Sequence, residues 1–132
     1  NVSAGAGAIT ILEAALLADG TAMGTATTLT NVTMLVLTGD TLDSGSTTAL
    51  TTAVGTGTVV SWGTGTQQNE DGILVLYSDG TDAFVSIVED SDASSNAAWA
   101  TSDLSETKII QISGVTTIGA GDFAVGNFEL IA

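Results

Sequence analysis

The chain has one lysine, Lys108, and no arginine, histidine, cysteine or proline, set against fifteen Asp and Glu residues. A single cation cannot neutralise a run of phosphates, which excludes nucleic-acid binding through a basic surface. Without His or Cys, the usual proton shuttle, the usual thiol nucleophile and the common zinc ligands are all missing. Aromatic residues make up only 5% of the chain, too few for the stacking platforms of a sugar cleft. No apolar run approaches the roughly 18 residues that span a bilayer. What remains is oxygen chemistry from carboxylates, hydroxyls and carbonyls, the ligand set of calcium.

The 132 residues are most simply one domain with a modest core. A formal charge of −14 suits an acidic disordered segment, but 44% hydrophobic residues do not, because a disordered chain has too few apolar side chains to offset the entropy of folding. The chain is therefore read as acidic and folded. Bound cations relieve such self-repulsion, and so does high ambient salt. Stability without cysteine must come from packing, metal or assembly. The sequence opens at Asn1 with no basic stretch leading into an apolar one, and the expectation is a trimmed or excised piece of a longer polypeptide.

Strand signals recur along the chain. Residues 28–38 (TLTNVTMLVLT) are rich in β-branched and apolar types and stop at Gly39-Asp40. Residues 59–62 (VVSW) read as a strand with loose ends, and residues 63–69 as a linker between strands. Residues 73–77 and 83–89 flank Asp79-Gly80, which predicts a hairpin with Gly80 at positive φ. In its second arm Phe84 and Val88 fall on one face, Val85 and Ile87 on the other, so the hairpin is expected between two layers. Residues 107–112 and 127–131 complete the predicted strands. Residues 9–18 (ITILEAALLA) read either as a helix ending at Asp19-Gly20 or as a strand, and residues 96–104 as one short turn. The expected fold is all-β, a β-sandwich or β-roll with a short N-terminal helix or a donated strand. Residues 20–132 form its single domain, and residues 1–19 a flexible segment.

The candidate cation site is the acidic stretch after the hairpin. Glu89, Asp90, Asp92 and Asn96 lie within eight positions, and alternate residues of a curled loop can face one calcium ion. Asp79 and Asp82, in the hairpin turn, join that set if the strands bring the two places together, although Asp is also simply a good turn former. An EF-hand is excluded, since Ser95 stands where its turn glycine belongs. Catalysis has little support. The many hydroxyls need an activating base, and with no His only Lys108 or a carboxylate is available, in no recognised spacing. The chain is read as not an enzyme.

Two stretches resemble known families. Gly39-Asp40-Thr41-Leu42-Asp43-Ser44-Gly45 resembles one turn of the calcium-binding repeat of RTX proteins, with Asp40 and Leu42 in the acidic and apolar places. Residues 71–77 (DGILVLY), 80–85 (GTDAFV), 109–115 (IIQISGV) and 121–123 (GDF) look like the C-terminal modules of large secreted bacterial surface proteins, including RTX-like adhesins and S-layer proteins. That resemblance covers residues 70–132. It implies export by type I secretion, and the ending Phe128-Glu129-Leu130-Ile131-Ala132 is similar to the signals of that route.

The expectation drawn from residues and resemblance together is an extracellular structural protein of the cell surface. It would assemble with copies of itself into a filament, layer or matrix, with calcium as the candidate cofactor. The lack of Pro removes one common protection of strand edges, and residues 1–19 are the candidate assembly strand. A glycan-binding adhesin module and a phage or capsid decoration protein are the alternatives. Neither nucleic acid nor membrane insertion belongs to any of these readings.

Overall fold

The computed structural model describes residues 11–15, 27–29, 34–55, 60–62, 72–91 and 101–123. Its strands are β1 (Ile11–Ala15), β2 (Thr27–Leu29), β3 (Met34–Thr38), β4 (Val60–Trp62), β5 (Gly72–Ser78), β6 (Asp82–Asp90) and β7 (Leu104–Ser113). Among the described residues there is one helix, α1 (Ala49–Val54), and a 3-10 turn at Thr101–Asp103. The main sheet has the order β1-β3-β5-β6-β7, and β2 pairs with β4 in a second, two-stranded sheet. From β1 to β5 the chain alternates between the two sheets, and every pairing in that stretch is parallel. β5, β6 and β7 then follow as an antiparallel meander. The all-β expectation holds at the level of class.

Parallel strands buried on both faces read as unbroken apolar runs rather than alternating ones. This is why β3 (MLVLT) and β5 (GILVLYS) carry large side chains at nearly every position. Leu35, Leu37, Ile73, Val75 and Tyr77 enter one core with Phe84 and Val88. Met34, Val36 and Leu76 enter a second core with Ala83 and Val85. The face assignment read from residues 83–89 is the observed one for Phe84, Val88 and Val85. Each fully buried aliphatic chain contributes about 1.5–3 kcal/mol on leaving water.

The first core is closed by α1, through Leu50, Ala53 and Val54, and by Leu42 of the preceding loop. The sequence does not foretell this helix, since residues 47–54 (TTALTTAV) are Thr- and Val-rich and read as β. Local bonding overrides that propensity. The Ser46 hydroxyl accepts from the Thr48 and Ala49 amides, and the Gly55 amide closes the turn onto the Thr51 carbonyl at 2.8 Å. The ambiguous residues 9–18 resolve, within the described part, as the strand β1. The turn expected near Trp99 lies outside the described residues, and a 3-10 turn follows at Thr101–Asp103. The linker at 63–69 and the strand at 127–131 lie outside the described residues.

The second core is closed by a strap, residues 114–123, that leaves β7 and crosses the ends of the sheet. The Gly114 amide donates to Asp82 at the start of β6. The Val115 and Thr116 carbonyls accept from the Ser78 hydroxyl at the end of β5. The Ile118 carbonyl accepts from the Gly39 amide just after β3. The Gly121 amide donates to Glu13 of β1 at 2.7 Å. Successive strap residues thus meet β6, β5, β3 and β1 in sheet order, and Ile118 is buried in the second core.

The ladder between β6 and β7 pairs Ser86 with Lys108 but Val85 with Ile110, which leaves Ile109 as a bulged extra residue. The insertion puts Lys108 and Ile110 on opposite faces although they are two apart, and it lets Ile112 join the second core. Deleting Ile109 leaves every other pairing and every face unchanged. The deletion variant should therefore fold, with stability within about 1 kcal/mol of the parent by denaturant titration. Loss of the folded state on this deletion would contradict the register.

Candidate functional site

The acids singled out in the sequence fall at two opposite ends of one strand. Asp79 and Asp82 sit at the β5–β6 turn, whereas Glu89 and Asp90 end β6. Eight residue steps of strand separate Asp82 from Asp90, roughly 26 Å. The fold does not bring the turn pair and the loop pair to one place. Asp92 and Asn96 lie outside the described residues. Among the described residues no group of three or more acids is placed to hold a metal ion.

The turn end is the better organised of the two. Asp79 and Asp82 close the hairpin by a backbone bond of 3.0 Å, with Gly80 at φ +89° as expected from the Asp-Gly pair. One carboxylate oxygen of Asp79 accepts from the Thr81 and Asp82 amides at 2.8 and 2.9 Å. Its other oxygen accepts from the Ser44 hydroxyl at 2.5 Å. Asp82 accepts from the Gly114 amide at 2.8 Å and from the Gln111 side-chain amide at 2.5 Å. These carboxylates serve as acceptors that fasten three segments together: the hairpin, the loop after β3 and the head of the strap. The Ser44 hydroxyl, followed by the Asp82 and Thr81 amides, holds the Asp79 carboxyl below its ordinary value.

The loop after β3 is fixed from both sides. The Leu42 amide donates to the Ser78 carbonyl at 2.9 Å, and Leu42 itself is buried in the first core. Asp40, the other residue of the RTX-like turn, accepts from the Thr41 amide. Lys108 donates to the Ser44 carbonyl, and its ammonium stands 5.9 Å from the centre of the Phe84 ring. The only basic side chain in the sequence is thereby engaged with a carbonyl and an aromatic face, holding this loop against β7.

A second polar cluster has no counterpart among the candidates read from sequence. The Tyr77 hydroxyl and the Ser86 hydroxyl both donate to the same Glu106 oxygen, at 2.9 and 2.7 Å. Tyr77 and Ser86 are buried, and the Tyr77 ring stacks on Phe84 with centroids 5.6 Å apart. The signal for this cluster is Ser86 itself, a lone hydroxyl in the apolar run Phe84 to Val88 that must find a partner once buried. Burial first, then the Glu106 hydrogen bond, pushes the Tyr77 phenol well above its ordinary range.

At the far end, the Ser91 amide and hydroxyl both bond the Asp103 carbonyl, at 2.6 and 2.7 Å, tying the end of β6 to the 3-10 turn that precedes β7. Asp90 is buried there and Glu89 partly exposed. The chain matches no family profile, no curated protein and no solved structure. Its resemblance to secreted surface modules therefore stands on the residue pattern of residues 70–132 alone.

Two titrations check these assignments. The Asp79 carboxyl should titrate below the ordinary aspartate range by NMR, and Ser44→Ala should raise its midpoint. A depressed folded-state value means that its contribution to stability is present above the ordinary aspartate titration and lost as pH falls through the folded value. Tyr77 is the only tyrosine, so phenolate absorbance reports it alone. A raised value keeps the folded state favoured below about pH 10 and penalises it above. Phenolate should appear only as the protein unfolds in alkali. A folded protein titrating at about pH 10 would contradict the cluster.

Proposed function

We propose that the chain is an extracellular structural module that assembles with copies of itself into a cell-surface filament, layer or matrix. The observation that supports this is the unlike character of the two edges of the main sheet. Among the described residues, β1 and β7 have one strand neighbour each. β7 carries two devices that blunt an edge, a bulge at Ile109 and the lone Lys108 beside it. β1 (Ile11–Ala15) carries no bulge, lysine or proline.

An edge without such devices is a template for further backbone pairing, and edge addition between copies extends a sheet from subunit to subunit. Ile109 and Ile110, 51% and 52% exposed on β7, add apolar surface beside the blunted edge. The charge of −14 opposes close packing of copies, and divalent cations or salt screen that repulsion. Calcium enters this reading as one of the cations that would screen this charge, with Glu89, Asp90, Asp92 and Asn96 as its candidates from the sequence.

Electron microscopy and light scattering of the purified protein, with calcium and with chelator over a range of concentrations, test the proposal. Ordered polymer that grows with concentration is the expected result. Polymer of equal amount in chelator keeps assembly and removes calcium. A monomer under all conditions that binds a glycan array would instead make the chain an adhesin module.

A further inference from the structure

We infer that the strap, residues 114–123, is a clasp over β1 that sets how fast this strand passes from its own sheet to that of a second copy. The inference rests on the self-assembly reading above and names the exchanged element and its control. β1 is lightly held. Its ladder is five residues long and pairs only with β3 among the described residues. It contributes Ile11 to one core and Leu12 to the other, both only partly buried. The next described strand is β2, and the 11 residues 16–26 between them span at most roughly 36 Å when extended. Exchange of an identical element re-forms the same contacts, so concentration sets the balance and the free energy of release sets the rate at which it is reached.

The strap sets that free energy, and it does so unevenly. Its first half is fastened to the central strands by the bonds to Asp82, Ser78 and Gly39, and by the buried Ile118. Its second half reaches β1 through the Gly121 amide on the Glu13 carboxylate and through Phe123, which packs in the same cluster as Ile11. Gly121 has φ +84°, a conformation that other residues adopt with strain. The Asp122 carboxylate, accepting from the Gly119 amide at 2.7 Å, shapes the turn that presents the Gly121 amide. A clasp whose anchor is fixed and whose tip holds β1 by one charged hydrogen bond and the Phe123 packing can open without unfolding the sheet.

The absence of native cysteine allows a direct reading. Ala15 and Thr38 are register partners on adjacent parallel strands, about 4.8 Å apart, within the span of a disulfide. In the A15C/T38C protein, mild oxidation cross-links within one chain when β1 sits in its own sheet. It cross-links between chains when β1 has exchanged, giving a ladder on non-reducing gels. On this background Glu13→Ala and Gly121→Ala should each speed the appearance of the ladder severalfold at fixed protein concentration. Glu13→Gln, which keeps an acceptor oxygen, should stay near the parent. Glu13 is exposed, so its variants test the clasp without disturbing the core.

A ladder that grows at the same rate in all variants would overturn the clasp and leave exchange standing. Polymer by microscopy with cross-links only within chains would overturn exchange of β1 and leave self-assembly standing. Monomer throughout, with cross-links only within chains, would overturn both.

Discussion

The structure depends on one constraint, that β3 and β5 are apolar on both faces and must be covered on both. A strand such as MLVLT has no side that tolerates water, so it forces a layer above and a layer below the sheet. On one face the cover is α1 with the loop carrying Leu42, and on the other the strap carrying Ile118. Each cover is held by polar groups at the rim of the sheet, where turns leave amides and carbonyls that require partners. Asp79, Asp82 and Ser78 meet that requirement. Their clustering in the sequence follows from the need to fasten both covers at the same edge.

This changes the meaning of the acidic composition. Acids placed at turns accept from backbone amides, Glu106 collects two buried hydroxyls, and Glu13 receives the tip of the strap. Lys108 binds a carbonyl and faces the Phe84 ring. Net charge is then left to be balanced by the solvent, which would tie the proposed association of copies to ionic conditions.

Much of the fold is legible in the sequence where residues act locally. The Asp79-Gly80 pair marks the hairpin, and apolar positions on both sides of residues 83–88 mark its burial between two covers. The short helix is not legible, because Thr and Val argue against helix while the Ser46 hydroxyl that accepts from the Ala49 amide acts through geometry. Nor are the parallel pairings or the strap. A β-strand run does not name its neighbour, and bonds such as Gly121 to Glu13 join residues far apart in the chain. The candidate cation site is legible only as composition. Turn acids and loop acids are close in sequence, yet an extended β6 holds them at opposite ends of the sheet.

Strands apolar on both faces make a firm interior, and the proposed exchange requires β1 to be a secured but separable edge. Native-state hydrogen exchange resolved by residue measures this most directly. The amides of β3 and β5 should exchange only through global unfolding. Those of β1 should exchange through a smaller local opening, together with the Gly121 amide. Protection of β1 equal to that of β5, with Gly121 exchanging independently of it, would contradict this division between interior and edge.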